Sequence, residues 1–405
     1  IGGYGYSATN KDHITYPGMV KVEYKKVIDA IINKKSFSSY FTQITDNRFA
    51  VTGGYLHHIQ DTFYLVGGQK FTGLYNPMGP GHGPGFKQEY TNEIRKFTLK
   101  SSGEIDYYHA IKDTLNLHRR DFNVARHIYA DGYSGLMAFT GVFQYDDDIP
   151  WLNVVSIRGN KYDVVDGFQQ KLSQYHSAHL PIFDSSLNEM HTIFFGGMAQ
   201  FTYQGNTLTE DTDVPFVKTI STVTRNSKGG LSEYKIGDMP GFLGSGAEFI
   251  PANTGVYNDG ILTLDRLNGQ KTLVGYIYGG IESDEENIFF TFDVGKLSRA
   301  SAKLYAVYID FNPANIDLPE TNSVDFDFDM FPNPARNRVK IEFENTTKAL
   351  YTIEVYEESG RKVFTDSTDK DHMRINLQGL SAGTYLVILH GTDKKDRLGK
   401  VLWIN

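Results

Sequence analysis

Hydrophobic and polar residues alternate along much of this chain with the two-residue period of a half-buried β-strand. The alternation is clearest at Val20-Lys21-Val22-Glu23-Tyr24. Further strand-like runs, rich in aromatic and β-branched residues, occur at 93–99, 151–155 and 287–292. Long amphipathic stretches typical of helices are scarce. The pattern therefore predicts an all-β protein built from small antiparallel sheets.

Several of these runs end in glycine. Apolar residues lead into a glycine pair at 63–68, 193–197 and 276–280, while 136–141 is a degenerate copy and Ile1-Gly2-Gly3 a truncated one. The first glycines, at positions 2, 67, 141, 196 and 279, lie 65, 74, 55 and 83 residues apart, so the repeats carry unequal insertions. Glycine suits the crowded end of a strand, where a Cβ atom would clash. Because the truncated copy opens the chain, we expect a segment to precede Ile1.

The strand with its terminal glycine pair resembles kelch repeats, in which four-stranded blades stack radially and the second strand of each blade ends in a double glycine. The resemblance covers residues 1–310 and implies a kelch-like β-propeller there. The Gly/Pro-rich stretch 76–85 is predicted to be a surface loop. A polar, proline-containing stretch at 311–330 predicts a linker and a domain boundary.

The remaining residues, 331–405, predict a second, smaller β-domain. Its opening Pro332-Asn333-Pro334 fixes two backbone φ angles and forms a rigid lead-in to the first strand. Short strands separated by turns follow, at 339–343, 351–356, 362–364, 373–377, 380–389 and 399–405. This number of short strands fits a small immunoglobulin-like β-sandwich.

Four landmarks occur in order along this domain: the Pro-Asn-Pro-Ala opening, a Gly-Arg turn at 360–361, a Leu-x-x-Gly-x-Tyr element at 380–385, and a last strand that carries a lysine. Together they resemble the C-terminal sorting domain of type IX secretion substrates, with Phe331 where that family often has tyrosine. The resemblance implies a folded signal that an outer-membrane translocon reads and a shuttle barrel receives. It also implies a sortase-like peptidase that normally removes this signal and attaches the cargo to surface lipopolysaccharide. The residues expected to be recognised are Pro332, Asn333, Pro334, Gly383, Tyr385, Lys400, Val401, Leu402, Trp403, Ile404 and Asn405.

Composition narrows the possible partners. The net charge is −8 and no dense Lys/Arg cluster occurs, so a nucleic-acid partner is not expected. The absence of cysteine excludes disulfides, thiolate metal sites and the Cys-Tyr copper site of kelch-type oxidases, and it fits export. No apolar run approaches the length of a membrane-spanning helix, and no secretory signal opens the chain.

Polar clusters in the first 310 residues each have a structural interpretation. His57 and His58 would point to opposite faces of a strand, and neither they nor His176 with His179 predict a metal site. The acidic runs 146–148 and 282–286 lack the spacing of a calcium loop and are interpreted as solvated turns. The stretch 118–121 and Arg126 are typical of side chains that tie neighbouring blades together, with a substrate-binding arginine as the alternative.

No Gly-x-Ser-x-Gly, His-Glu-x-x-His, phosphate-loop or sialidase motif occurs, so the sequence predicts no catalytic residue, metal ion or cofactor. The leading hypothesis is a secreted protein of the cell surface, associated with the outer membrane. Its propeller would act as a binding or adhesion module for a surface glycan or protein. Two alternatives stay open: a secreted enzyme that degrades glycans or peptides, and a component of the surface motility or secretion machinery.

Overall fold

The computed structural model describes residues 1–75, 85–100, 102–204, 207–252, 255–267, 271–288, 297–310, 328–345, 348–357, 361–391 and 397–404. The chain divides into two compact units, Ile1–Ile309 and Asp310–Asn405. Strands dominate both units, which confirms the all-β prediction. This outcome follows from the abundance of aromatic and β-branched residues at alternating positions.

The strands up to Asp310 are numbered in chain order. They are β1 Tyr4–Ser7, β2 Asp12–Thr15, β3 Gly18–Val22, β4 Phe41–Thr45, β5 Tyr55–Ile59, β6 Thr62–Val66, β7 Gln69–Gly73, β8 Phe86–Tyr90, β9 Glu93–Leu99, β10 Ile105–Tyr107, β11 Ile111–Lys112, β12 Asn123–Ile128, β13 Ser134–Phe139, β14 Val154–Arg158, β15 Lys161–Val164, β16 Ala178–Asp184, β17 Glu189–Phe195, β18 Phe201–Gln204, β19 Thr207–Glu210, β20 Thr219–Arg225, β21 Leu231–Asp238, β22 Ala247–Pro251, β23 Tyr257–Asn258, β24 Ile261–Thr263, β25 Lys271–Gly279, β26 Ile281–Ser283, β27 Ser298–Ala300 and β28 Leu304–Asp310. Helical segments are α1 Tyr24–Ile32 and the 3₁₀ turns Ser38–Tyr40, Asn47–Phe49 and Leu264–Arg266.

Three sheets of the first unit share one arrangement, in which four strands pair antiparallel in the order in which the chain reaches them. These sets of strands are β5-β6-β9-β10, β12-β13-β14-β15 and β16-β17-β20-β21; in addition, β11 pairs with β9, and the third sheet continues beyond β16 with the parallel strand β24 and then β23. A fourth sheet, β22-β25-β28, has three described strands. Along the chain, β7-β8, β18-β19 and β26-β27 are inserted into three of these sheets without breaking their strand order, whereas β12 to β15 are consecutive; β7 and β8 also pair with β1 and β2 in a sheet of their own, β1-β2-β7-β8.

Glycine ends the second strand of each of these sheets, as the sequence pattern predicts. Glycine pairs lie at the ends of β6, β17 and β25, and Gly141 follows β13. Gly196 illustrates the physical reason. Its φ is +63°, and a Cβ atom added to it would lie 1.9 Å from the carbonyl oxygen of Leu243. Any other residue at this position would have both an unfavourable positive φ and a clash between its Cβ atom and the backbone, so glycine is favoured there.

First strands of successive sheets are neighbours: β5 contacts β12, β12 contacts β16, and β16 contacts β22. The fully buried Asn123 links two of these sheets, because its Nδ2 donates to the carbonyl of Gln174 (2.8 Å) and its Oδ1 accepts from the Ser177 amide (2.9 Å). Neighbouring sheets joined at their first strands are compatible with blades. No closed propeller is found among the described residues, so the kelch-like propeller stays a prediction.

Some predicted strand boundaries need correction. The run Val20–Tyr24 ends as a strand at Val22, and Tyr24 begins helix α1, in which Val27, Ile31 and neighbouring apolar residues recur at helical spacing. Strand β14 begins at Val154, three residues later than predicted. Residues 289–292 of another predicted strand and 76–84 of the predicted surface loop lie outside the described residues. No helix among the described residues is long and apolar enough to cross a membrane.

The second unit contains two antiparallel sheets, β29-β30-β33 and β32-β31-β34-β35. Their strands are β29 Phe328–Phe331, β30 Arg338–Phe343, β31 Tyr351–Glu357, β32 Lys362–Thr368, β33 His372–Asn376, β34 Gly383–Gly391 and β35 Arg397–Ile404. Residues of both sheets form one core, in which Val339, Ile341, Ile353, Val355 and Val387 are almost completely buried. An immunoglobulin-like topology for this unit stays a prediction.

Strand β29 begins at Phe328, inside the stretch 311–330 that the sequence predicts as a linker. Phe328 is buried in the core of the second unit, which explains why the strand starts there. Residues 311–327 of the predicted linker lie outside the described residues. In the sequence, aspartate alternates with apolar residues at Asp327, Phe328, Asp329 and Met330. This two-residue period is typical of a strand and could have moved the predicted start of the second domain from residue 331 to residue 328.

Candidate functional site

The last strand of the second unit carries most of the residues expected for sorting. β35 pairs antiparallel with β34, and in this register Gly383 lies opposite Ile404 and Tyr385 opposite Leu402. Leu402 and Ile404 point into the core and are buried, whereas the side chain of Trp403 is 49% exposed. Val401 pairs with Leu386 through the backbone. Asn405 lies outside the described residues.

The opening motif of the domain lies against this strand. The backbone amide of Trp403 donates to Oδ1 of Asn333 (2.8 Å), and the amide of Ala335 donates to the carbonyl of Trp403 (2.7 Å). The peptide bonds that precede Pro332 and Pro334 are both cis. Residues at the two ends of the domain sequence therefore form one group, which we call the terminal clamp: Pro332, Asn333, Pro334, Ala335 and β35.

Two predicted residues, Tyr385 on β34 and Lys400 within the clamp, make further contacts in this region. The buried Tyr385 donates its hydroxyl hydrogen to the carbonyl of Ser381 (2.9 Å), within the turn that leads into β34. The Lys400 ammonium lies 3.8 Å from Oδ1 of Asp329 and 5.3 Å from the centre of the Phe328 ring. Phe328, Asp329 and Ala335 were not among the predicted site residues.

The clamp leaves part of β35 at the edge of its sheet. Because Trp403 directs its amide and carbonyl away from β34, the alternation of an antiparallel ladder directs the backbone groups of Val401 and Gly399 the same way. Among the described residues, the second unit places no strand along that edge between Arg397 and Val401. An extended segment of another protein can add to such an edge.

The polar stretch 118–121 of the first unit divides into different roles. Arg119 is buried and donates to the carbonyls of Asn116 (2.7 Å) and Thr140 (2.8 Å) and to Oδ1 of Asn153 (2.6 Å). These acceptors lie within its own sheet and the turn before it, so the interpretation of Arg119 as a tie between sheets is wrong. Burial lowers the pKa of its guanidinium to about 9.

Arg126 does link separate sheets. Its guanidinium donates to the carbonyl of His58 on β5 and forms an ion pair with Asp259, which follows β23. Arg120 pairs with its neighbour Asp121, and its Nε donates to the hydroxyl of Tyr90 at the end of β8 (3.3 Å), so it too contacts a separate sheet. The same Tyr90 stacks on His118, with 3.8 Å between ring centres, and His118 stacks on the exposed Tyr145 (3.9 Å).

Two of the histidines considered as metal ligands, His57 and His179, lie close to one carbonyl oxygen, but they belong to different predicted pairs. His57 and His58 face opposite sides of β5, as the alternation predicts, and His57 Nε2 lies 2.7 Å from the carbonyl oxygen of Val124. His179 Nε2 approaches the same oxygen (3.1 Å). His176 Nδ1 lies 3.9 Å from Oδ1 of Asp121. Within the described part of the chain, no three His, Asp or Glu side chains gather closely enough to hold a metal ion.

The acidic runs also have ordinary surroundings. Asp146, Asp147 and Asp148 are exposed in a loop. Glu282 on β26 pairs with Arg299 (2.8 Å) and Lys303 (2.6 Å), and Arg299 also pairs with Asp284 (2.9 Å). The second run is therefore partly neutralised by two basic residues of the same region. The expectation of a solvated turn holds for 146–148 and for 284–286, whereas Glu282 and Ser283 belong to strand β26 and Ser283 is buried.

Comparison with known proteins identifies the second unit. Residues 329–402 match the family model described as a secretion system C-terminal sorting domain. This match supports a type IX secretion substrate, and it indicates a protein that is exported to the cell surface or secreted. No curated protein matches the chain.

Similar solved structures include two proteins of Porphyromonas gingivalis. One is PorZ, described as an essential bacterial surface component of the type IX secretion system; it is 10% identical, with 100% of this chain and 59% of that chain covered and a TM-score of 0.20. The other is dimeric latent PorU, 9% identical, with 94% of this chain and 37% of that chain covered and a TM-score of 0.18. This chain thus spans 59% of the first and 37% of the second. With TM-scores this low, the two structures do not establish the fold of this chain.

Proposed function

We propose that the chain is a surface-displayed binding protein in which residues 328–405 are the signal read by the type IX export machinery and residues 1–310 are the cargo. The observation that supports this most directly is the terminal clamp. Hydrogen bonds from Trp403 to Asn333 and from Ala335 to Trp403 join the first and last elements of the sorting domain. A recognition surface assembled this way exists only once the domain has folded.

The machinery recognises this folded surface rather than a linear peptide. The expected contacts are Pro332, Asn333 and Pro334 on one side and Lys400 to Asn405 on the other, with Gly383 and Tyr385 supporting the strand from β34. The exposed ring of Trp403 and the edge of β35 offer an apolar anchor and backbone hydrogen-bonding groups to one partner. The expected partners are the translocon, the outer-membrane shuttle barrel and a sortase-like peptidase.

The cargo acts by binding, as an adhesion module for a surface glycan or protein. Its sheets carry exposed aromatic rings on loops and hairpins, among them Tyr75, Tyr108 and Tyr145. Aromatic side chains on a rigid β-scaffold are typical of binding surfaces, since they supply contact area at a low cost in conformational entropy.

A grafting experiment tests the sorting role. Residues 328–405 are fused to a periplasmic fluorescent passenger in a host with a type IX system, and surface fluorescence is measured after protease shaving. We expect display of the passenger. Lys400→Ala and Trp403→Ala are expected to reduce display by about tenfold, which corresponds to about 1.4 kcal/mol of lost recognition free energy.

Lys370→Ala is the matched control, because Lys370 is an exposed lysine of the same domain that follows β32 and lies outside the clamp. Thermal unfolding of each fusion separates loss of recognition from loss of folding. A passenger that stays in the periplasm, or display that is equally strong with the clamp variants, would contradict the proposal.

A further inference from the structure

A pocket of about 780 Å³ lies in the first unit beside strand β21. Its walls come from the segment 164–172, which begins at the last residue of β15, from the hairpin β18-β19 and from β21 itself. We call it the Glu233 pocket. Its volume falls within the range of small-molecule sites, and neither the sorting role nor the sequence motifs account for it.

The wall formed by 164–172 is held in place by backbone hydrogen bonds. The amide of Val165 donates to the carbonyl of Val154 (2.9 Å), and the amide of Gln170 donates to the carbonyl of Leu152 (2.8 Å). At the end of the segment, the amide of Leu172 donates to the carboxylate of Glu233 (3.1 Å). The pocket is therefore built on fixed backbone, which limits the ordering entropy that a ligand would have to overcome.

Glu233 is the unusual residue of the pocket. It lies opposite Val223 across the β20-β21 ladder, so it faces the same side as that buried valine, while Tyr234 faces the other side. Burial raises the pKa of its carboxyl to about 7. A neutral glutamine would accept the same hydrogen bond from Leu172 without the cost of burying a charge. A carboxyl group with a raised pKa that lines a pocket, as that of Glu233 does, is typical of a ligand site.

The lining distinguishes between ligand classes. Aromatic rings are supplied by Phe168 and Tyr203, and polar groups by Asp166, Gln169, Lys171 and Glu233. Two carboxyl groups line the pocket and no arginine is among its described lining residues, a combination that disfavours phosphate and other anions. Hydroxyl-rich rings suit such a lining, because their C–H faces pack on aromatic rings while their hydroxyl groups donate to carboxylates and accept from amides and ammonium groups.

From this geometry we infer that the Glu233 pocket binds a short neutral oligosaccharide, with Phe168 and Tyr203 against the sugar faces and Glu233 accepting hydroxyl hydrogen bonds. The inference rests on the binding role proposed above and specifies its ligand class. It does not depend on sorting, since it concerns the first unit alone.

Isothermal titration of the purified chain tests it. The probes are cellotriose, mannotriose and chitotriose, with glucose 6-phosphate and a sulfated disaccharide as charged counterparts. We expect saturable binding of at least one neutral probe and weaker binding by about tenfold or more in Tyr203→Ala and Glu233→Gln. Tyr234→Ala, on the opposite face of the same strand, is the matched control and is expected to bind as the original chain does.

Thermal unfolding of each variant, measured in parallel, shows that the fold is retained. The inference is overturned if no neutral probe binds at millimolar concentration, if only the charged probes bind, or if both pocket variants bind as well as the control. Each of these results leaves the surface-display experiment unaffected, so failure of the pocket and failure of the sorting role are distinguishable. Cleavage of a bound probe, read by mass spectrometry, would support the pocket and replace the adhesion role by that of a glycan-degrading enzyme.

Discussion

Glu233 shows how one half-buried carboxyl couples the stability of the first unit to pH. Its pKa is raised by burial to about 7, against an ordinary value of 4.5. Between these two values the folded chain holds a proton that the unfolded chain has released. The stabilising contribution of this group is therefore complete below about pH 4.5 and is lost as the pH rises through about 7.

Glu233→Gln removes this dependence. As the pH rises from 5 to 8, the original chain is expected to lose up to about 3 kcal/mol in free energy of unfolding through this group, at about 1.4 kcal/mol for each unit of pKa shift. The variant is not expected to show this loss. Urea unfolding at both values measures the difference. The control is Glu104→Gln, an exposed glutamate paired with Lys100, for which a change below about 0.5 kcal/mol is expected. Parallel pH curves for the original chain and Glu233→Gln would contradict the assignment.

At the scale of elements, the ends of the second strands limit what the sheets can tolerate. Gly196 combines a φ of +63° with a site where a Cβ atom would meet the Leu243 carbonyl oxygen at 1.9 Å. Gly132, in the turn between β12 and β13, has a similar φ of +81° but open space around the position of a Cβ atom. Substituting alanine at Gly132 therefore tests the cost of a positive φ alone, whereas alanine at Gly196 adds the cost of a steric clash.

Gly132→Ala is expected to lower the free energy of unfolding by about 1 kcal/mol, the cost of placing alanine in the left-handed region. Gly196→Ala is expected to lower it by at least about 2 kcal/mol more, because the carbonyl of Leu243 must also move. Chemical denaturation of both variants makes the comparison. If the two variants lose equal free energy of unfolding, the backbone near Leu243 can move to accommodate a Cβ atom at little cost. The steric explanation of the repeated glycines would then be wrong.

Elements also reveal which sequence patterns are reliable. The strands with alternating burial, such as β16 and β30, coincide with clear two-residue periods. Helix α1 and strand β29 were not predicted, since each lies beside a stronger signal: a strand pattern before Tyr24 and the Pro-Asn-Pro motif after Phe331. A local pattern assigns the type of an element more securely than its boundary.

For the whole molecule, the division into two compact units predicts that the cargo folds without its signal. A chain that ends at Asp310 is expected to unfold cooperatively, at the temperature of the first unit within the full chain. In the host it is expected to accumulate in the periplasm. Calorimetry and cell fractionation measure the two outcomes. Removal of 311–405, rather than 331–405, is the appropriate cut because Phe328 belongs to the core of the second unit.

Surface display of that shortened chain at the normal level would contradict the sorting role. Loss of cooperative unfolding would contradict the independence of the first unit instead. The two readouts thus test separate parts of the proposal.

The sequence by itself determined the all-β class, the glycine positions at the ends of second strands and the landmarks of the sorting domain. These features depend on steric and periodic rules that act within a few residues. Only the tertiary structure decided which of the landmarks meet. Asn333 and Trp403 are 70 residues apart, and Leu172 and Glu233 are 61 apart. Nothing near Glu233 in the sequence indicates that its carboxyl is partly shielded from water, since this shielding arises from the packing of the distant segment that ends at Leu172 against β21. Contacts of this kind follow from how sheets and loops pack, and local periodicity does not encode them.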